Sequence, residues 1–197
     1  MSNTVKVLRT GYSFKTSDGL IHADCTITLI LGDSIVLVDT GGYWTASQLI
    51  SDLSKAGLSP DKVDTVVCTH RHSDHIGCLS LFQHSDMIVG FDVFRNDVYI
   101  SHDFHSGFEL KIAEGITVRS TPGHTNEDVS VLVETENGLI AVVGDLFENE
   151  ADIEDESIWL EHSANPEAQR LNRDNILKTA SAIIPGHGRL FRTEERK

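Results

Sequence analysis

The chain predicts an αββα sandwich in which two β-layers are flanked by helices, built from two similar halves of a single domain over residues 1–197. Three observations point to it. Strand–helix–strand order with hairpins occurs twice, once in each half. No linker rich in Pro, Gly or Ser separates the halves. An apolar strand repeatedly delivers a His or Asp next to a glycine at its C-terminal end, the kind of edge where layered α/β folds gather their active sites.

In the first half, Val5–Leu8 and Ala23–Leu31 read as strands separated by the polar loop Thr16-Ser17-Asp18-Gly19, and a turn at Gly32-Asp33 leads into Ser34–Val38. Val38-Asp39-Thr40-Gly41-Gly42 then sets Asp39 at a strand end beside a sharp bend that the glycines permit. Ala46, Leu49, Ile50, Leu53 and Ala56 share one face of a helix over residues 45–56, and Gly57 is placed to end it. Ser59-Pro60-Asp61 leads to Thr65–Cys68, a short buried strand. Beyond the loop that follows, a helix from about His75 covers Leu79, Leu81 and Phe82, and Met87–Gly90 is another strand. Residues 92–108 show no regular pattern.

The second half is β-rich: Leu110–Ile112, Ile116–Thr121, Asp128–Glu134 and Leu139–Asp145 read as strands, with Glu136-Asn137-Gly138 as the hairpin turn between the last two. An acidic loop, Glu148–Glu156, precedes a helix that begins at Asn165-Pro166, a good cap followed by a good first helical residue. Ala182–Ile184 is the final strand.

Composition narrows the functional classes. At 40% hydrophobic and 23% charged residues the chain is an ordinary globular protein without disorder or repeats. Met1-Ser2-Asn3-Thr4 lacks the basic-then-apolar pattern of a secretory leader, and no apolar run approaches the roughly 20 residues of a membrane helix. A soluble, cytoplasmic protein without membrane partners is expected. Cys25, Cys68 and Cys78 form no C-x-x-C pair and are expected as buried, reduced thiols. A net charge of −14 repels nucleic acid and weighs against tight, sequence-independent binding to it, while leaving room for a local basic groove.

The densest chemistry lies in Thr69-His70-Arg71-His72-Ser73-Asp74-His75-Ile76-Gly77. Clustered imidazoles and a carboxylate have no packing purpose and call for a cation. His70 and His72 alternate in extended chain and can point to one side, whereas Asp74 and His75, adjacent in a turn, would diverge and could serve a second ion. His124 in Thr121-Pro122-Gly123-His124-Thr125, Asp145 after Leu139–Gly144, and His187 in Pro185-Gly186-His187-Gly188 occupy similar strand ends. Singly, each reads more readily as a hydrogen-bonded loop residue or a cap; beside the dense loop they become candidate ligands. The remaining histidines, His22, His84, His102, His105 and His162, read as surface or structural, with His102 and His105 as candidates for a rim.

With these motifs in this order, T-H-x-H-x-D-H-I-G, the upstream V-D-T-G-G and the downstream G-H, G-D and P-G-H-G, nearly the whole chain resembles the metallo-β-lactamase fold superfamily. The resemblance implies one ion on His70, His72 and His124, a second on Asp74, His75 and His187, Asp145 between them, and Asp39 behind the ligands as their orienting group. It implies two Zn2+, with iron or manganese as alternatives, and a metal-bridged hydroxide oriented by Asp74 as the attacking group.

Gly11-Tyr12-Ser13, Val38-Asp39-Thr40-Gly41-Gly42, His72-Ser73-Asp74-His75-Ile76-Gly77, Ser101-His102-Asp103-Phe104, Asp128-Val129-Ser130-Val131 and Pro185-Gly186-His187-Gly188 are similar to the metallo-β-lactamase-domain-containing protein 1 group within that superfamily. That likeness implies an endoribonuclease acting on histone precursor RNA, a homodimer, in cytoplasm and nucleus. Arg71 and Thr125-Asn126-Glu127 depart from the group's pattern beside the site and bear on substrate preference. No long insertion between Asp145 and His187 offers an RNA clamp, and no helical domain of the glyoxalase II type follows. The net charge of −14 keeps a small-molecule (thio)ester as the rival substrate. A mononuclear-iron persulfide dioxygenase, using His70, His124 and Asp145, is the rival activity.

Overall fold

A computed structural model of the chain describes residues 2–193; Met1, part of the N-terminal stretch read above for a leader, lies outside the described residues. The first half runs β1 (Thr4–Arg9), β2 (Tyr12–Lys15), β3 (Ile21–Asp24), β4 (Ile27–Leu31), β5 (Ile35–Val38), α1 (Ala46–Lys55), β6 (Thr65–Cys68), α2 (Ser73–Ile76), β7 (Asp86–Val89), β8 (Asp92–Arg95) and β9 (Val98–Ile100). The second runs β10 (Leu110–Ala113), β11 (Ile116–Ser120), β12 (Val129–Thr135), β13 (Gly138–Gly144), α3 (Ser157–Leu160), α4 (Pro166–Thr179), β14 (Ala182–Pro185) and β15 (Phe191–Arg192).

Two sheets form the centre. One has seven strands in the order β1-β4-β5-β6-β7-β8-β9 and the other six, β10 to β15 in sequence order, while β2 and β3 make a separate ribbon. Side-chain alternation then sorts the apolar residues into three layers. Ile30, Val36, Val38, Val67 and Ile88 of the first sheet meet Val118, Val129, Val131, Val142 and Ile184 of the second in the central layer. On the outer face of the first sheet, Leu29, Leu37, Val66, Cys68 and Met87 pack on Leu49 and Leu53 of α1. On the outer face of the second, Leu132, Ala141, Val143 and Ile183 pack on Ile176 of α4. Helix, sheet, sheet, helix is the expected αββα sandwich.

Strand β6 falls where the sequence places it, and Asn165 caps α4 by accepting from the Ala168 amide at 3.1 Å. Other expectations need correction. The expected strand Ala23–Leu31 is two: β3 belongs to the ribbon and β4 to the sheet, because Cys25-Thr26 turn aside and the Thr26 amide donates to the Gly186 carbonyl at 2.6 Å. Periodicity cannot see such a distant partner. The expected helix from His75 through Phe82 is only α2 followed by a 3-10 turn at Leu79–Leu81. Gly77 lies between them, where a Cβ would run into the backbone of Gly42 and Tyr43. Residues 92–108 contain the hairpin β8–β9, turned through Asn96 at φ 54°. Ile50, placed on the inner face of α1, is 43% exposed. The strands β2 and β15 carried too few apolar residues to stand out. The three cysteines are free and buried, as expected.

In the first sheet β5, β6 and β7 run parallel, and in the second β13 and β14 do. β11 is antiparallel to β12, which is antiparallel to β13, so β11, β13 and β14 share a direction. The C-terminal ends of β5, β6, β11, β13 and β14 deliver Asp39, His70, His124, Asp145 and His187 to one edge of the sandwich.

A candidate metal centre

Every sequence-predicted site residue reaches that edge. His70 Nε2 lies 2.9 Å from His72 Nδ1, and His124 Nε2 lies 3.0 Å from the same atom. His70 Nε2 is 3.6 Å and His124 Nε2 3.4 Å from Asp145 Oδ2. On the other side of Asp145, His75 Nε2 is 3.2 Å from Oδ1 and His187 Nε2 is 3.3 Å from Oδ2. Asp74 Oδ2 sits 3.8 Å from both His75 Nε2 and His187 Nε2. Asp74 and His75 therefore converge instead of diverging, because the first turn of α2 folds both toward His187.

The donor atoms of His70, His72, His124 and Asp145 all lie within 4.8 Å of one another, as do those of Asp74, His75 and His187. Asp145 stands between the two groups. Its reach depends on Gly186, where a Cβ would overlap Asp145 Oδ1.

The outer face of the cluster fixes how the imidazoles present themselves. His75 Nδ1 donates to Asp39 Oδ2 at 3.0 Å. Asp39 also accepts from the Thr69 amide at 2.8 Å and from Thr69 Oγ1, and that hydroxyl stands 3.2 Å from His70 Nδ1. His187 Nδ1 donates to the Asp24 carbonyl at 3.1 Å. With Nδ1 carrying the proton, the Nε2 lone pairs of His70, His75 and His187 face the centre, the arrangement that metal-binding imidazoles take. Asp39 holds this post in the left-handed region, at φ 59°. Asp24 and Thr69 were not expected here: one contributes backbone and the other a hydroxyl, neither of which a pattern of ligating side chains marks.

Charge inside the cluster is unevenly spread. Burial and the neighbouring His75 hold His70 well below the usual imidazole value, and burial brings His124 down to about 4. Burial opposes charge on His75 and His187 too, but Asp145 outweighs it, holding His75 well above the usual value and His187 at about 9. Asp145 is correspondingly held well below the usual carboxylate range: burial works against it, and His187, His75 and His70 prevail. Buried polar atoms are left without hydrogen bonds, among them His75 Nε2, His124 Nδ1 and Asp145 Oδ1. Such atoms are costly unless something binds them. Imidazole and carboxylate donors converging on two adjacent points fit divalent ions of the zinc type.

Glu148 is the site residue that the sequence hid. In sequence it opens the acidic loop Glu148–Glu156, yet it is 5% exposed, with Oε1 3.9 Å from His124 Nδ1 and Oε2 3.9 Å from His187 Nε2. Burial and then Asp145 push its carboxyl up to about 8. The only signal was its place three residues after Asp145. A cavity of about 260 Å³ opens over the centre, lined by Ser13, Ile21 and Ala23 of the ribbon and by His162. His162 thus joins the rim, whereas His102 and His105 meet Phe104 and Phe91 edge-to-face outside that lining.

Residues 22–91 match the model of the family described as the metallo-beta-lactamase superfamily. Over 193 residues the chain is 46% identical to metallo-beta-lactamase domain-containing protein 1 of Xenopus laevis, covering 96% of this chain and 82% of that protein. It is 41% identical to the protein of the same name in Homo sapiens over 160 residues, covering 80% of this chain and 59% of the human one. Among solved structures, a Bacillus thuringiensis protein with N-decanoyl-L-homoserine bound at its active site superposes with a TM-score of 0.68 at 17% identity, over 95% of this chain and 93% of that one.

Proposed function

We propose that this chain, which belongs to the metallo-β-lactamase superfamily, is a dinuclear metal-dependent hydrolase. One observation carries the reading: seven donors, His70, His72, Asp74, His75, His124, Asp145 and His187, converge in two groups that share one carboxylate edge, more than a single ion needs. The first ion would sit on His70, His72 and His124, the second on Asp74, His75 and His187, with Asp145 reaching both. Zinc suits such imidazole-rich sets, and iron or manganese are the alternatives. Two such ions supply an activated water at neutral pH and polarise the oxygen of the bond to be broken.

The protein's own groups do the rest. Asp74, partly exposed toward the cavity, accepts a hydrogen bond from the attacking water and turns its lone pair toward the substrate. Asp39, Thr69 and the Asp24 carbonyl keep the imidazoles in the donor tautomer. Ile21 and Ala23 of the ribbon add apolar surface to the cavity wall.

For the substrate, the likeness to metallo-β-lactamase-domain-containing protein 1 supports a phosphodiester of histone precursor RNA, cut endonucleolytically. The cavity favours a second reading, a small (thio)ester. It holds about 260 Å³ and is lined by Asp74, Asp145 and Glu148 with no Lys or Arg. Arg71, between His70 and His72 in sequence, is engaged by Asp92 at 2.8 Å and Glu127 at 2.6 Å. The homodimer and the cytoplasmic and nuclear placement belong to this proposal. Among the described residues no helix is long and apolar enough to cross a membrane.

Metal analysis of natively purified protein, followed by a substrate panel with His70→Ala and Asp145→Asn as controls, tests it. Two zinc equivalents with RNA cleavage lost in both variants support the first reading. Cleavage of thioesters alone moves the substrate to the second. One iron equivalent with oxygen consumption on glutathione persulfide overturns the hydrolase.

A further inference from the structure

Four buried imidazoles face the centre, those of His70, His75, His124 and His187. Three have the far ring nitrogen held by the protein: His70 by Thr69 Oγ1 at 3.2 Å, His75 by Asp39 at 3.0 Å and His187 by the Asp24 carbonyl at 3.1 Å. His124 is the exception. Its Nε2 points to His72 and Asp145, and its buried Nδ1 has no hydrogen-bond partner. The nearest carboxylate is Glu148 Oε1, at 3.9 Å. Glu148 is itself 5% exposed and lines the cavity, with its other oxygen, Oε2, 3.9 Å from His187 Nε2.

A buried ring nitrogen without an acceptor therefore faces a carboxylate on the cavity wall. The main chain keeps them together. The Glu148 amide donates to Asp152 Oδ2 at 2.7 Å, and the Glu148 carbonyl accepts from the His187 amide at 2.8 Å. Asp152 is clamped in turn by Arg173 Nη2 at 2.7 Å. Glu148 hangs from a rigid point and is not a loop acid that happens to lean inward.

We propose that Glu148 is the positioning residue for His124: it accepts the Nδ1 proton, fixes the tautomer that presents Nε2 to the first ion, and couples the segment after β13 to the ligand after β11. A small rotation of the carboxylate, or one bridging water, closes the 3.9 Å gap. The inference rests on the metal reading of the site. A carboxylate behind a ligating histidine is worth about 10–100-fold in metal affinity.

The test is zinc titration of the metal-free protein against a competing chromophoric chelator, for wild type, Glu148→Ala, Glu148→Gln, His124→Ala and the double variant Glu148→Ala/His124→Ala. Wild type should bind two ions. Glu148→Ala should weaken one of the two steps about 10–100-fold and leave the other unchanged. Glu148→Gln, whose amide oxygen still accepts, should recover most of the loss. The double variant should match His124→Ala, because Glu148 acts through that ring. Equal loss from Glu148→Ala with and without His124 would overturn the proposal and make Glu148 a direct ligand of the other ion, and wild-type titration of Glu148→Ala would also overturn it. A wild type that binds no zinc removes the metal reading itself. An NMR readout on wild type guards against a misfolded variant: zinc-loaded, 15N-histidine-labelled protein should show a slowly exchanging Nδ1 proton for His124, and a rapidly exchanging one overturns the assignment.

Discussion

Asp39→Asn isolates what one carboxylate does behind the metal loop. Asp39 is 1% exposed and left-handed at φ 59°, a conformation that Asn adopts as readily as Asp, so the substitution leaves the backbone of the Val38–Gly42 turn unstrained. Its two oxygens serve different donors: Oδ1 accepts from the Thr69 amide at 2.8 Å, and Oδ2 from His75 Nδ1 at 3.0 Å. An amide has one oxygen, so in either orientation its NH2 faces an N–H and one buried donor is stranded. Losing a hydrogen bond to a charged acceptor costs about 1.5–3 kcal/mol. For a chain of this size each kcal/mol lowers Tm by roughly 2–4 °C, so the metal-free variant should melt roughly 3–12 °C below wild type. If the amide turns its NH2 to His75, that ring is no longer held as a donor tautomer, and affinity at the second ion should fall about 10–100-fold. Calorimetric melting of chelator-treated protein and zinc titration read the two effects separately. A melt within about 2 °C of wild type together with unchanged zinc affinity would refute the reasoning.

Three further substitutions probe the frame around the centre. Arg173, stacked 3.9 Å over Phe147 and paired with the fully buried Asp152 at 2.7 Å, should cost about 3–5 kcal/mol when replaced by Met, because the carboxylate is left buried and uncompensated; urea unfolding measures it, and a loss below about 1 kcal/mol would contradict it. Gly186→Ala should displace Asp145 and lower kcat more than 10²-fold, on the scale expected of an ångström-sized misplacement, while far-UV circular dichroism stays native; retained activity would show that Asp145 has room to give. Asp128 accepts from the amides of Gly123 and Thr125, and burial, opposed by Thr125, pushes its carboxyl up to about 7. A folded value above the ordinary 3.8 means that the folded chain holds this proton more tightly, so its contribution is complete below about pH 4 and is lost as pH rises through about 7. Metal-free Asp128→Asn, which cannot ionise, should therefore lose less stability than wild type between pH 5 and 8 in urea titrations; parallel slopes would refute the assignment.

The parts of this protein that the sequence made legible are those whose signal is local. The loop 70–75 shows its candidate ligands because four of them fall within six residues, and β6 shows itself because every one of its residues is buried. His124, Asp145 and His187 stand out as candidates through a repeated local grammar, a strand and then a metal-capable side chain beside glycine. Features set by distant partners were hidden. The break at Cys25-Thr26 follows from a hydrogen bond to Gly186, and the break at Gly77 from contact with Gly42. Glu148 is hidden within an acidic loop because its neighbours in sequence are acidic, whereas its place is held by Arg173 and Asp152, which bond to the turn. Asp24 works through a carbonyl, which every residue has.

The two halves of the chain also settle how the centre relates to folding. One half supplies His70, His72, Asp74 and His75, the other His124, Asp145 and His187, so an ion bound between them ties the sheets together. Other bonds already do so. The Val129 amide donates to the Thr69 carbonyl at 2.9 Å, the Thr26 amide to the Gly186 carbonyl, and the central apolar layer draws on both sheets. A small zinc finger has no such frame and unfolds without its metal. Here the donors of each group lie within 4.8 Å of one another, on a frame of hydrogen bonds that need no ion. The ion's effect on stability should then be simple linkage, about 2.7 kcal/mol at a free concentration one hundred times its Kd, added to a chain that is folded without it.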